Sequence, residues 1–180
     1  MPKPITILVE GESDRVAVVT LAPRFGVDLD AENITVTVIG GAGNFGRAIP
    51  EATAQGHRVG GLYDEKEERF VAGALNRQEG EDLTRQGFFA CRPDLEMELV
   101  RAVGAAEMTP LLEANGDLKT FRNFQDQPKY RDAEALDQVR HFIAASGARK
   151  AKYAAIMAEA VPFESVPEPL EGIVNWIWGA

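Results

Sequence analysis

A chain of 180 residues, 45% of them apolar, is long enough to bury one sizeable core and short for two domains. No run approaches the ~18 apolar residues of a membrane span. Met1-Pro2-Lys3-Pro4 opens directly onto a strand pattern without signal-peptide features, so a cytoplasmic protein with no membrane partner is expected. The lone cysteine, Cys91, excludes an internal disulfide and a multi-cysteine zinc site and reads as a core residue. A net charge of −9 opposes strong autonomous binding to nucleic acid, whose phosphates are held mainly by Lys and Arg.

The first predicted element, strand 5–9, runs straight into Glu10-Gly11-Glu12-Ser13-Asp14. A strand that stops at acids delivers charge to one place. Gly11 permits a tight turn, and Ser13 or Glu12 is expected to cap a helix that begins near Asp14 and reaches about residue 25, with Gly26 as its stop. Residues 34–39 read as strand two, followed by a glycine-rich turn over 40–46 and a short helix ending near Gly56. Strand three, 58–63, ends at Asp64, with Glu65, Glu67 and Glu68 behind it. A helix over about 65–76 and a loop over 78–82 lead to strand four, 87–91, which runs into Asp94 and Glu96. From there the chain turns helical at 95–103, 109–113, 133–145 and 150–160. Residues 116–131 are polar, a loop or a short helix, and the apolar run 170–178 is expected to pack Trp176 and Trp178 back on the domain.

Alternating strands and helices predict a parallel four-stranded sheet with flanking helices, an α/β core over 1–103 and a helical extension over 104–180 of one domain 1–180. Ligands bind beyond the carboxyl ends of such strands, so Glu10, Asp64 and Asp94 should converge on one edge. A cluster of Asp and Glu without His or Cys suits hard divalent cations, and each ion bound reverses the local charge, which softens the objection from −9. The remaining bases Arg122, Lys129, Arg131, Arg140, Arg149, Lys150 and Lys152 concentrate in the last third and leave room for a basic face there.

Plainer readings stand beside this one. Acids in a helix's first turn are stabilised by the helix dipole whatever the function. The run at Glu65, Glu67 and Glu68 has the form of a solvated face, and His57 and His141 read as surface or packing residues. Tyr63, Tyr130 and Tyr153 sit in a strand, a loop and a helix core, so water rather than tyrosine is the expected attacker. A rival class arises at Gly41-Ala42-Gly43-Asn44-Phe45-Gly46, which matches G-x-G-x-x-G between a strand and a helix, with Asp64 about 20 residues on, as in a dinucleotide-binding unit.

The set Leu8-Val9-Glu10-Gly11-Glu12-Ser13-Asp14, Gly40-Gly41 and Leu62-Tyr63-Asp64 resembles the TOPRIM domain of topoisomerases, DnaG-type primases and overcoming-lysogenisation-defect (OLD) nucleases. Asp94-Leu95-Glu96 and the later basic segment are most similar to the OLD branch. The resemblance implies a TOPRIM fold and metal-dependent cleavage of phosphodiester bonds, in DNA before RNA. It implies Mg or Mn held by Glu10, Asp14, Asp64, Asp94 and Glu96. Glu10, Asp64 and Lys150 would be catalytic, with Lys152 as the alternative base, and Gly40 and Gly41 would let the backbone approach a phosphate. Where many TOPRIM proteins have Asp-x-Asp, this sequence has Asp64-Glu65-Lys66, so Glu65 or Glu67 must supply the second acid or it is missing. The sequence contains no G-x-x-x-x-G-K-[ST], so any ATP dependence would rest on a separate ATPase subunit. A homodimer and a non-catalytic TOPRIM-like binding module are the remaining expectations.

Overall fold

A computed structural model describes residues 3–179; Met1 and Pro2, which belong to the tetrapeptide weighed as a leader, and Ala180 lie outside the described residues. Among the described residues, β1 (Ile5–Val9), β2 (Ile34–Val38), β3 (Arg58–Asp64) and β4 (Phe88–Cys91) form one parallel sheet in the order β2-β1-β3-β4. β1 is central and buried along its whole length, which is why it reads as a near-continuous apolar run interrupted only by Thr6. β3 lies against it with Gly60 and Gly61. A Cβ on Gly61 would collide with the Leu8 carbonyl, and one on Gly60 would stand 2.8 Å from both the Gly87 carbonyl and the Trp176 ring, so both positions require the smallest residue.

Helices cover both faces. α1 (Glu12–Leu21), α2 (Phe45–Ala54) and α3 (Glu68–Ala74) follow the first three strands, and α4 (Leu95–Val103) follows β4. α5 (Ala105–Ala114), α6 (Leu118–Gln125), α7 (Ala135–Ala144), α8 (Gly147–Ala160) and α9 (Glu168–Trp178) complete the chain. α2 and α3 bury Phe45, Ile49 and Val71 with Tyr63 and Phe88 on one face. On the other, a single apolar cluster runs from Ile7 and Val18 through Leu99, Phe142 and Tyr153 to Ile177, so the later helices share their core with the sheet.

Several predicted boundaries move for local reasons. α1 ends at Leu21 and a 3-10 turn takes Ala22–Phe25, because Pro23 has no N–H to continue the α ladder; Gly26, at φ 77°, ends that turn. Neither Glu12 nor Ser13 caps α1: the cap is Gly11, whose N–H donates to Asp14 Oδ2 at 2.8 Å. The polar stretch 116–131 contains α6, held by Phe121 in the core. α8 begins three residues before Lys150, where Ser146 caps Arg149 N–H. Trp176 is partly buried under the Arg58 guanidinium, 4.1 Å away, whereas Trp178 is 55% exposed and does not close the core.

Candidate active site

The carboxyl ends of β1 and β3, the first turn of α4 and the amino end of α8 meet around a cleft of about 560 Å³. Its walls carry Glu10, Asp14, Asp64, Glu96 and Lys150, with Gly11, Ser13, Gly41, Gly147 and Ala148 between them. Glu10 stands one residue past β1, and its Oε1 accepts the Asp64 N–H at 3.3 Å, tying the first strand end to the third. Gly40 and Gly41, at φ 75° and 116°, fold the chain after β2 so that both donate to the Glu10 carbonyl, at 3.1 and 3.2 Å. Those N–H groups are therefore engaged in holding Glu10, while Gly41 remains in the cleft wall.

The acids in the cleft are held in uneasy company. Burial first, then the charges of Glu10, Asp14, Asp94 and Glu96, push the Asp64 carboxyl up to about 7. Burial likewise drives Asp14 to about 7, against the pull of the Gly11 N–H, with Glu96 and Glu10 adding to the rise. Glu10 is raised by burial, while the Asp64 and Ala42 N–H groups and Lys66 oppose it and Glu67 adds to it. The buried Cys91 thiol beneath is raised by burial and then by Asp14 and Asp64. Lys150 answers this charge: its Nζ lies 3.1 Å from Glu96 Oε1. Burial works against its ammonium, but Glu96, Asp64 and Asp14 together hold it above its ordinary range.

Two residues singled out from sequence have other duties. Asp94 caps α4 by accepting Met97 N–H at 2.9 Å, and both its oxygens are taken by Arg140, with Nε at 2.9 and 3.1 Å. Burial would raise its carboxyl, but the Arg140 and Met97 hydrogen bonds outweigh that and hold it low. Asp94 is thus an anchor for α4 rather than an open ligand. Arg140 was visible in sequence only as one base among several; no local signal pairs residues 46 positions apart. Lys152 turns away from the cleft to Asp117 Oδ2, at 2.7 Å, and the Asn115 carbonyl. Of the acids after Asp64, Glu65 faces Arg92 at 3.2 Å, whereas Glu67 is the one whose charge reaches Glu10. Lys66 Nζ lies 4.0 Å from Asp64.

All-oxygen donors suit Mg or Mn in kind, and acids pushed towards neutrality by burial and by one another are in the state that a cation relieves. Among the described residues no three of them stand close enough, as placed, to hold one ion together. The dinucleotide reading fares worse. Its glycine-rich turn follows the edge strand β2, with β1 between that strand and Asp64 on β3. A Cβ on Gly46 would meet open space, so this glycine does not serve the close helix–strand packing that the third position of the fingerprint demands.

Comparison with known proteins adds the following. Residues 5–65 match the model of the overcoming lysogenization defect protein-like TOPRIM domain. Among solved structures, the C-terminal region of the Burkholderia pseudomallei OLD protein superposes with a TM-score of 0.67 at 16% identity, covering 99% of this chain and 98% of that one. The C-terminal region of the Xanthomonas campestris pv. campestris OLD protein gives 0.65 at 20% identity, covering 97% and 94%. At such identities the likeness shows the fold. No curated protein matches.

Proposed function

We propose, from the OLD-like TOPRIM domain that this chain carries over residues 5–65, that the protein hydrolyses phosphodiester bonds in DNA with Mg or Mn. The observation that carries this reading is the meeting of Glu10, Asp14, Asp64, Glu96 and Lys150 around one cleft from four separate segments. Glu10 and Asp64, with Asp14 and Glu96 beside them, would hold the cation. When bound, it supplies Lewis acidity at a phosphoryl oxygen and eases deprotonation of an attacking water. The chain's own contributions follow from its geometry. The Gly40-Gly41 turn fixes Glu10, and Arg140 fixes Asp94 and with it the first turn of α4, from which Glu96 enters the cleft. Lys150 offsets negative charge developing on the phosphate, and the amino end of α8, at Gly147 and Ala148, presents N–H groups and a favourable dipole to an anion.

The test is plasmid nicking by the purified chain in Mn, Mg or EDTA, beside single-stranded DNA and RNA. Cleavage should require the cation and disappear in Asp64→Asn; nicking that persists in EDTA or in that variant contradicts the proposal. A second reading, a TOPRIM-like module that binds without cutting, draws on Lys66 at the second acid's place and on the spread of the acids. Under it, cation and DNA bind while the plasmid stays closed. A separate ATPase subunit and a second copy of the chain are proposed as partners only if the isolated chain nicks slowly and their addition accelerates it.

A further inference from the structure

β2, Ile34-Thr35-Val36-Thr37-Val38, contains no charge, proline or glycine, and it pairs only with β1 among the described residues. An edge of this kind templates another strand unless charge, proline or a covering segment blocks it. Ile39 N–H donates to the Val9 carbonyl at 2.9 Å. Because successive peptide groups of a strand point to opposite sides, the Val36 and Val38 N–H groups point away from β1. Beside this edge, at the far end of α1, runs a groove of about 740 Å³ with Val19, Val27, Leu29, Ile34 and Val36 among its lining residues. Exposed Asp28 and Asp30 stand on its rim. Among the described residues the one cation lining it, Arg15, is already bonded to Glu12 at 2.6 and 2.9 Å.

We propose that β2 and this groove receive an extended segment of a partner protein in which apolar residues alternate with Lys or Arg. The segment's backbone pairs with Val36 and Val38, one row of its side chains enters the apolar groove, and its cations meet Asp28 and Asp30. The charge decides the occupant: a second copy would bring another −9 to a rim that is already acidic. The surface is separate from the acid cleft, and the inference does not depend on whether that cleft cuts DNA.

Hydrogen exchange on the full chain tests this, with the synthetic peptide (Lys-Val)4 as probe and (Glu-Val)4 as its control. Saturating (Lys-Val)4 should slow exchange at the Val36 and Val38 amides by about tenfold or more, and (Glu-Val)4 should leave them unchanged. Val38→Pro removes an outward N–H without touching the β1 ladder, so it should melt near wild type yet bind (Lys-Val)4 at least about tenfold more weakly. Asp28→Asn with Asp30→Asn should weaken binding and flatten its salt dependence, and these two results stand alone if the proline variant fails to fold. The proposal is overturned if millimolar (Lys-Val)4 leaves both amides unprotected, if (Glu-Val)4 protects them equally, or if they become protected on raising protein concentration alone, which would assign the edge to a second copy.

Discussion

Asp64 ends β3 and Asp94 follows the neighbouring β4, and the two differ in one respect that separates the two parts of this molecule. The Asp94 side chain is the less exposed, 14% against 25% for Asp64, yet its carboxyl is held low while that of Asp64 is pushed up to about 7. Burial acts upward on both; company makes the difference. Asp94 has a guanidinium and a helix N–H, whereas Asp64 has four other acids. The α4–α7 corner is therefore compensated and structural. The cleft is compensated only in part, by Lys150 and Lys66, and carboxyls shifted in this way cluster at functional sites.

Substitutions should break this contrast in opposite directions. Asp64→Asn should lower cation-dependent nicking by about a thousandfold, the loss of several kcal/mol of transition-state stabilisation, and yet raise the melting temperature of the cation-free protein by relieving like-charge repulsion. Nicking assays and thermal melts read the two effects. Lys150→Ala should cut the nicking rate by about ten- to a hundredfold. Arg140→Met should do the reverse of Asp64→Asn, destabilising the fold by about 2 kcal/mol, less than the 3–5 of a fully buried pair because Arg140 keeps some exposure. Urea unfolding measures it.

The pH dependence follows with its sign. Asp14 and Asp64 near 7 hold protons in the folded state that the unfolded chain, with ordinary carboxylates near 4, has already released. Their contribution to stability is full below about pH 4 and is lost as the pH rises towards about 7. Asp94, shifted down, contributes above the ordinary range and loses that contribution only on further acidification. Melts of the cation-free protein should therefore decline from pH 5 to pH 7.5, and Mn should raise the melting temperature more at pH 8 than at pH 5.5. The smallest expected effect is Lys152→Ala, which loses an exposed contact to Asp117 worth about 0.5 kcal/mol and should leave nicking unchanged, in contrast to Lys150→Ala.

The half of this comparison that lies on strands was legible in the sequence, because a run such as Ile5–Val9 ends where its apolar pattern ends and Glu10 must follow. The alternation of elements announces a parallel sheet and with it the meeting of Glu10 and Asp64 at one edge, but not the strand order β2-β1-β3-β4. The helical half was less legible. Asp94 reads as a strand-end acid exactly as Asp64 does until Arg140 arrives from α7, and a partner 46 residues away leaves no trace in local pattern. Lys150 and Lys152 differ by two positions, about 200° around a helix, and only the packing of α8 beside α1 decides which one enters the cleft. At Gly40 and Gly41 the positive φ was foreseeable from the glycine pair, but the Glu10 carbonyl as acceptor of their N–H groups was not.

The central claim is that carboxylates from distant segments share a divalent cation in this cleft, and Mn binding measured by calorimetry at pH 8 addresses it most directly. Wild type should bind with a released proton and a defined stoichiometry that Glu10→Gln and Asp64→Asn each abolish, while Glu65→Gln binds as wild type does. Equal Mn binding by wild type and both cleft variants would contradict the account.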